Sequence, residues 1–282
     1  MKCFDIDLYD YFNLKKPEGA GGKLNVCLHG VTNEINAERK SPAMLVIPGG
    51  GYAMCSGREG EPIAVKYFAD GFNTFTLTYS VAPFKYPTAL YEAAMAMIYI
   101  RKHADELNVD AGKVAAVGFS AGGHLCGCLG ILAAESVLDV FGDDKKLIRP
   151  NAILLIYPVI SSYRKPHSGS FDNLCGDDEQ LRKYLSLEDR VDKNSSPAFI
   201  TSTYGDDCVP VKNSLLIADA YEEAGVPFAL NVFEKGGHGM SLNSTLSDSA
   251  KNVAARCASE DYALWQPMSV KWLKERGICV DE

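Results

Sequence analysis

The residues most able to do chemistry in this sequence surround Ser120, in the Gly-x-Ser-x-Gly pattern of residues 118–122. The apolar run 114–117 before it predicts a buried strand, and the residues from Gly123 onward predict the start of a helix. A serine at so tight a turn between strand and helix projects its hydroxyl out of regular structure. The flanking glycines are needed because a Cβ there would collide with a neighbouring strand or helix. We therefore interpret Ser120 as a nucleophile rather than as part of an ordinary glycine-rich turn.

A serine hydroxyl is a weak nucleophile near neutral pH and needs a base within hydrogen-bond reach. Of the five histidines, His238 alone lies in a glycine-rich loop directly after a predicted strand. This position predicts that it lies at the carboxyl edge of a parallel sheet, where the active sites of open α/β sheets gather. His238 is therefore the predicted general base. His124 follows Ser120 on the same helix with its ring pointing away and is predicted to be structural, whereas His167 could contact substrate.

The acid that orients the base is expected at another strand end, and residues 204–210 supply two carboxylates there. Only one of them can orient His238. We favour Asp206 and keep Asp207 as the alternative. The order Ser120, Asp206, His238 along the chain is the Ser-Asp-His order of one particular fold.

Three glycines follow another predicted strand, in Pro48-Gly49-Gly50-Gly51-Tyr52. Glycine lets the backbone approach a substrate closely and turn its amides inward. We predict an oxyanion hole with one N–H group from Ala121 and the other from Gly50 or Gly51. A phosphate-binding loop is the alternative, but the segment lacks the lysine and Ser/Thr of a P-loop.

Apolar, β-branched runs alternate with longer helical patterns along the chain. This alternation predicts an α/β fold with a mostly parallel sheet covered by helices on both faces. The predicted strands comprise residues 24–29, 43–47, 74–79, 113–118, 152–157, 198–204 and 228–233. The predicted helices include residues 61–69, 89–107, 211–224 and 266–276.

Two segments interrupt this alternation. Residues 158–196 form a connection longer than a normal βα loop, and we expect a lid or a substrate-binding insertion there. Residues 240–260 are polar and follow the glycine-rich loop of His238. The sequence leaves open whether they form a mobile loop or a helix.

The composition is that of an ordinary globular protein, with 282 residues of which 47% are hydrophobic and 23% are charged. The formal charge of −8 argues against nucleic acid and anionic membranes as partners, since both require a basic face. The first seven residues lack the apolar core of a secretion signal. No stretch approaches the roughly 18 apolar residues of a membrane span. These features predict a cytoplasmic protein.

Nine cysteines are scattered without a regular spacing. Several lie in apolar runs, which favours buried reduced thiols over disulfides. Cys126 and Cys128, together with His124, are residue types that bind metals. Residues two apart on a helix face different directions, so we expect no metal site here.

The motifs above, in this order, resemble the α/β-hydrolase superfamily in its esterase and lipase branch, similar to acetyl esterases and acetyl-xylan-esterase-like proteins. The resemblance rests on the glycine motif 48–52, the segments 79–83 and 86–90, the serine motif 118–122, and the block from Asp206 through Gly239. Two positions depart from the branch. Ser80 replaces its usual arginine, and Pro48 replaces a histidine while leaving the backbone donors in place.

The resemblance implies a single α/β-hydrolase domain over residues 1–282, with about eight strands. It further implies a serine carboxylesterase that hydrolyses short acyl esters, acetyl esters above all, of sugars or xylo-oligosaccharides through an acyl-enzyme. The expected partner is a small-molecule ester, and no metal or organic cofactor is required. A peptidase of the same fold and a non-catalytic ligand-binding member are the alternatives. The sequence predicts no oligomeric state.

Overall fold

The structure is a computed structural model that describes residues 1–32, 34, 38–247 and 259–279. Within these residues, eight strands form one sheet: β1 Lys2–Asp7, β2 Lys23–Leu28, β3 Ser41–Ile47, β4 Asn73–Thr78, β5 Val109–Phe119, β6 Ala152–Ile156, β7 Ala198–Thr203 and β8 Phe228–Phe233. The α-helices are α1 Leu8–Tyr11, α2 Glu61–Ala69, α3 Thr88–Lys102, α4 Ser120–Ile131, α5 Ser168–Cys175, α6 Glu179–Tyr184, α7 Lys212–Glu223 and α8 Trp265–Glu275. Segments of 3₁₀-helix comprise Gly57–Glu59, Ser136–Leu147, Leu187–Asp189 and Glu260–Leu264.

The strands follow the order β1-β2-β4-β3-β5-β6-β7-β8 across the sheet. Strands β3 to β8 run parallel, whereas β2 is antiparallel to both of its neighbours. The predicted α/β fold with a mostly parallel sheet is therefore confirmed. The carboxyl ends of the parallel strands all meet at one edge of the sheet.

Both faces of the sheet are buried beneath helices. Successive side chains of a strand point to opposite faces. In β3, Leu45 and Ile47 join the core that includes α3 and α4, whereas Met44 and Val46 join the core that includes α2 and α8. This burial on both sides explains why the central strands are continuous apolar runs in the sequence.

Each of the seven predicted strands is present, with small differences at its ends, but the prediction missed β1. In this strand Lys2 and the carboxylates of Asp5 and Asp7 stand among apolar residues. Such charges are typical of an edge strand, which is solvated on one side and protected from pairing with other chains. The strand therefore lacks the apolar run by which the others were identified.

Helix α3 is shorter than predicted, ending at Lys102 where the sequence pattern predicted a helix to residue 107. The chain forms turns over residues 103–108 instead, and the amide of Val109 donates to the carbonyl oxygen of Ala104 at 2.7 Å. Asn108 has a φ of +52°. Asparagine tolerates this left-handed conformation, which turns the chain into β5.

The segment 158–196 contains helices α5 and α6 and the 3₁₀ segment Leu187–Asp189. The side-chain amide of Asn173 in α5 donates to the carbonyl oxygen of Gly51 at 2.9 Å. This contact fastens the segment to the glycine-rich loop after β3. In the second interrupting segment, residues 241–247 form turns and bends and the 3₁₀ segment Glu260–Leu264 follows, while residues 248–258 lie outside the described residues.

The prediction that the cysteines are reduced is wrong for one pair. Cys3 in β1 lies directly opposite Cys27 in β2, and the two form a disulfide with their Cα atoms 4.4 Å apart. The strand register brings them together, and that register cannot be deduced while β1 is unrecognised. The free cysteines among the described residues are Cys55, Cys126, Cys128, Cys175, Cys208 and Cys279, and Cys257 lies outside those residues.

In the described part of the chain, no single helix has both the length and the apolar character to cross a bilayer. One bent pair, Ser120–Ile131 with Ser136–Leu147, passes that test by length and composition alone.

Candidate active site

Ser120 lies at the junction of β5 and α4, where Phe119 ends the strand and the serine begins the helix. Its φ is +52°, a left-handed conformation that few residues other than glycine adopt. The turn is therefore sharp, and the hydroxyl stands at the carboxyl edge of the sheet. The residue is only 6% exposed, so water has limited access to it.

The glycines on either side of the serine allow this close packing. A Cβ at Gly118 would lie 2.5 Å from the Cβ of Cys126 in α4. A Cβ at Gly122 would overlap the carbonyl oxygens of Ile47 and Pro48 at the end of β3. Glycine at these two positions thus lets α4 approach both β5 and β3.

The loop after β8 brings His238 to the serine. Its Nε2 lies 2.8 Å from the Oγ of Ser120. Gly236 has a φ of +130°, and a Cβ there would lie 2.7 Å from the Cγ2 of Thr203. The hydroxyl of Thr203 donates to the carbonyl oxygen of Gly236 at 2.8 Å. The loop after β8 that carries His238, here called the histidine loop, is therefore fastened to the end of β7.

Asp206 follows β7 and contacts the other side of the imidazole. Its Oδ2 lies 2.7 Å from the Nδ1 of His238, and its side chain is fully buried. Its Oδ1 accepts hydrogen bonds from the amides of Cys208 and Val209 at 3.0 and 2.8 Å. Asp207 is exposed and makes no hydrogen bond to the histidine.

The glycine-rich loop after β3 packs directly on the nucleophile. A Cβ at Gly49 would lie 3.0 Å from the Cβ of Ser120 and 2.5 Å from the carbonyl oxygen of Phe119. The amide of Gly49 donates to the Oε2 of Glu59 at 2.8 Å. Gly49 is therefore a packing position, and its N–H group is already occupied.

The next two glycines have the conformations that only glycine adopts readily, with φ of +126° at Gly50 and +64° at Gly51. Among the described residues, neither of their N–H groups has an acceptor. The N–H group of Ala121, in the first turn of α4, has no acceptor within its own helix. Ala121 directly follows the serine, and Gly50 and Gly51 follow Gly49, which packs against the serine, so these amides are available to a ligand near it.

The structure thus brings together the residues that the sequence analysis selected, from four strand ends far apart in the chain. An imidazole that contacts both a serine hydroxyl and a buried carboxylate can accept the proton of that hydroxyl and return it. Free amides beside the serine can bind an oxyanion. Acyl transfer through a serine ester is the chemistry that this arrangement allows.

His124 lies one helical turn after Ser120 in α4 and is fully buried. Its Nε2 lies 2.8 Å from the carbonyl oxygen of Leu185, and its Nδ1 lies 2.9 Å from the hydroxyl of Tyr52. Because a carbonyl oxygen only accepts, Nε2 carries the proton and Nδ1 accepts from the tyrosine. Burial lowers the pKa of His124 to about 4, so the ring is neutral at neutral pH. It joins α4 to the glycine-rich loop and to the segment 158–196.

His167 immediately precedes α5 and lies near the glycine-rich loop. Its Nδ1 is 2.8 Å from the Oγ of Ser170, and its Cε1 lies 3.9 Å from the point where a Cβ on Gly51 would stand. Burial, with the positive charge that His238 can carry, lowers the pKa of His167. The segment 158–196 therefore places a half-buried imidazole beside the site.

Two buried polar residues next to the site, Glu59 and Tyr157, were not predicted from the sequence. Glu59 is bonded to the glycine-rich loop through Gly49, and Tyr157 has its ring 5.1 Å from the ring of His238. No local motif marks either residue. Only the folded sheet brings them together.

No group of three or more histidine, cysteine, aspartate or glutamate side chains with metal-binding geometry occurs in the described ranges. The Sγ of Cys128 lies 3.8 Å from the Nδ1 of His124. The hydroxyl of Tyr52 donates to the same nitrogen. This histidine is thus held by hydrogen bonds on both of its nitrogens.

Comparison with known proteins gives relatives among carbohydrate-active enzymes. The chain is 40% identical over 222 residues to endo-1,4-beta-xylanase B of Butyrivibrio fibrisolvens, covering 73% of this chain and 34% of the relative. It is 29% identical over 210 residues to an acetylxylan esterase of Xylanibacter ruminicola, covering 72% of this chain and 42% of the relative. The chain thus spans less than half the length of these curated relatives.

Among solved structures, an acetyl ester-xyloside bifunctional hydrolase from Caldicellulosiruptor lactoaceticus superimposes with a TM-score of 0.81 at 31% identity. The match covers 98% of this chain and 97% of that one. The sheet order, the sharp turn at Ser120 and these similarities define an α/β hydrolase of the esterase and lipase branch. The BD-FAE family model matches residues 31–221, and the chain belongs to the BD-FAE family.

Proposed function

We propose that the protein is a serine carboxylesterase in which Ser120, His238 and Asp206 act as a catalytic triad. The observation that carries the proposal is the continuous pair of contacts from the serine hydroxyl to the imidazole and on to the buried carboxylate, at 2.8 and 2.7 Å. The relatives named as esterases support the same activity. Asp207, exposed to solvent, has no contact that would support the role of the acid.

The reaction follows from the contacts. His238 takes the proton of Ser120 as the oxygen attacks the carbonyl carbon, and Asp206 holds the imidazole in the tautomer that accepts at Nε2. The amides of Ala121 and of Gly50 or Gly51 bind the negative oxygen of the tetrahedral intermediate. The alcohol leaves with the proton from His238, and an acyl-serine remains. Water then attacks the acyl-serine by the same steps in reverse and releases the acid.

We further propose that the substrate is a small-molecule acetyl ester of a sugar or xylo-oligosaccharide. An acetylxylan esterase and an acetyl ester-xyloside hydrolase among the similar proteins support the acyl group and the alcohol. Segment 158–196 would contribute to the alcohol site within a single domain, and half-buried His167 offers a hydrogen-bonding group for it. The formal charge of −8 gives no support to a nucleic-acid partner.

The test is the initial rate of hydrolysis of p-nitrophenyl acetate, butyrate and octanoate by the wild type beside Ser120→Ala and His238→Ala. We expect turnover of the short esters, with kcat lower by about four to six orders of magnitude in each variant. The double variant should lose little more than either single one, because the residues act as a unit.

Equal rates in wild type and Ser120→Ala would refute the nucleophile. If no ester is hydrolysed, turnover of p-nitroanilides would favour a peptidase of the same fold. Saturable binding of acetylated sugars without turnover would instead favour a non-catalytic ligand-binding protein.

A further inference from the structure

We propose that Glu59 and Tyr157 form a buried bracket that positions the glycine-rich loop and the histidine loop relative to each other for acyl transfer. The inference rests on the proposed esterase function. It names two positioning residues that lie outside both the glycine motif 48–52 and the serine motif 118–122. The bracket consists of the two side chains and the backbone amides of Gly49 and Ser241 that they hold.

Glu59 secures the glycine-rich loop. The residue is 3% exposed, and its Oε2 accepts the amide hydrogen of Gly49 at 2.8 Å. Gly49 in turn packs on the Cβ of Ser120. The carboxylate therefore fixes the peptide that immediately precedes the free amides of Gly50 and Gly51, and a shift of that peptide would move the oxyanion donors.

Tyr157 secures the histidine loop. Its hydroxyl donates to the Oε1 of Glu59 at 2.7 Å and accepts from the amide of Ser241 at 3.0 Å. Its ring packs edge-to-face against the imidazole of His238, with ring centroids 5.1 Å apart and an interplanar angle of 66°. Ser241 is fixed further because the indole N–H of Trp265 donates to its carbonyl oxygen at 2.9 Å. The tyrosine thus restrains the chain three residues after His238.

Burial raises the pKa of Glu59, whereas the hydrogen bonds from Tyr157 and Gly49 and the proximity of His238 act in the opposite direction. Both carboxylate oxygens have a donor, Tyr157 at Oε1 and Gly49 at Oε2. The bracket therefore acts by holding the two loops in register.

The chain contains a matched control, in which a second buried glutamate is bonded to a second tyrosine. Glu92 is 0% exposed, and its Oε1 accepts from the hydroxyl of Tyr9 at 2.9 Å. Its carboxylate also accepts the amide and hydroxyl of Ser80 at 2.5 Å each. None of these partners belongs to the loops that carry the site. Substitutions at Glu92 and Tyr9 therefore measure how much the loss of a buried Glu–Tyr hydrogen bond lowers protein stability when the site is not involved.

Glu59→Gln tests the bracket with little change of shape. The N–H group of Gly49 and the hydroxyl of Tyr157 both donate to the carboxylate, and an amide offers one oxygen where the carboxylate offers two. If that oxygen keeps the bond from Gly49, the amide NH2 faces Tyr157, whose hydroxyl must then accept instead of donating. The substitution therefore reverses or breaks the bond to Tyr157. Tyr157→Phe removes a single hydroxyl from the same bracket and serves where Glu59→Gln folds poorly.

The experiment compares Glu59→Gln and Tyr157→Phe with Glu92→Gln and Tyr9→Phe. For each protein, kcat and KM are measured with p-nitrophenyl acetate. The kcat is expressed per active serine, which is counted by titration with diethyl p-nitrophenyl phosphate. The Ki of phenylboronic acid and the Tm are measured as well. We expect kcat to fall about 10- to 100-fold in Glu59→Gln and about 3- to 10-fold in Tyr157→Phe, with KM nearly unchanged. The affinity for the boronic acid, which forms a tetrahedral adduct on the serine, should weaken in parallel.

Glu92→Gln and Tyr9→Phe should lower the Tm comparably and leave kcat per titrated serine unchanged within about threefold. Equal kcat values in the two matched pairs would overturn the bracket while leaving the esterase proposal intact. The esterase proposal fails separately, if wild type and Ser120→Ala do not differ.

Discussion

Both oxygens of the Asp206 carboxylate are engaged, which fixes the plane of the group. One oxygen faces His238, and the other accepts the amides of Cys208 and Val209. Charged hydrogen-bond acceptors of this kind hold their donors in one orientation. The residue is therefore able to select a single tautomer of the imidazole, whereas its neighbour Asp207 has no such contact.

At the residue scale, Asp206→Asn and Asp207→Asn should separate the two candidate acids. We expect Asp206→Asn to lower kcat by about 10⁴ because an amide favours the wrong tautomer of His238. Asp207→Asn should stay within about threefold of the wild type because that side chain is in solvent. Initial rates on p-nitrophenyl acetate measure both, and a large loss in Asp207→Asn alone would assign the acid to Asp207.

Glycine flanks made Ser120 and His238 recognisable in the sequence, because a sharp turn and a tight loop each require particular residues. The choice between Asp206 and Asp207 could not be decided there, since adjacent residues share the same local pattern. Glu59 and Tyr157 were not predictable. They are 98 positions apart and pair only when β6 and the segment after β3 meet at one edge.

At the element scale, the segment 158–196 is joined to the glycine-rich loop after β3 by one hydrogen bond and lies near it at a second point. Asn173 of α5 donates to Gly51, and His167 lies near the same glycine. Helix α5 is thus held beside the free amides. We infer that this segment selects the alcohol portion of the substrate, while the strand-end loops carry the chemistry.

His167→Ala should separate alcohol recognition from chemistry. We expect kcat/KM for acetylated xylo-oligosaccharides to fall about tenfold, because a polar site loses one hydrogen-bonding group, while kcat/KM for p-nitrophenyl acetate changes less than about threefold. Acetate release and p-nitrophenol release measure the two reactions. His103→Ala, at the opposite edge of the sheet after α3, is the control. Equal losses on both substrates would contradict a role in alcohol recognition.

Strands buried on both faces were the most predictable elements, since β3 and β6 have no polar alternation that could suggest another structure. The edge strand β1 lacked that signal because its charges face solvent. The periodicity of α3 continued past Lys102, where the chain turns to reach β5 through Asn108. The position of β5 in the fold, rather than local helix propensity, therefore determines where α3 ends.

At the scale of the whole molecule, buried titratable groups tie stability to pH. His124 is neutral in the core, where burial lowers its pKa from 6.5 to about 4. Above about pH 6.5 neither the folded nor the unfolded chain protonates it. As the pH falls from 6.5 towards 4, the unfolded chain takes up the proton and the folded chain does not. The contribution of this histidine to stability is therefore lost over that interval.

The free energy of unfolding of the wild type relative to His124→Asn should show this dependence. We expect the difference between the two proteins to decrease by roughly 3 kcal/mol between pH 7 and pH 4, at about 1.4 kcal/mol per pH unit. Burial raises the pKa of Glu59 and Glu92, which produces the opposite trend, but both proteins share it and it cancels. Urea unfolding at pH 7, 5.5 and 4.5 measures the difference, and a constant value would contradict the buried neutral state.

One further consequence concerns how inhibitors of this protein should be interpreted. Cys208 is exposed, and its backbone amide donates to Asp206. Burial and the neighbouring aspartates raise the pKa of its thiol, so alkylating agents should modify it slowly, but any adduct would stand next to the acid. Loss of activity after treatment with iodoacetamide would then reflect obstruction beside the triad. Such a result would mimic a cysteine hydrolase in a protein whose nucleophile is an alcohol, and Cys208→Ser would expose the artefact.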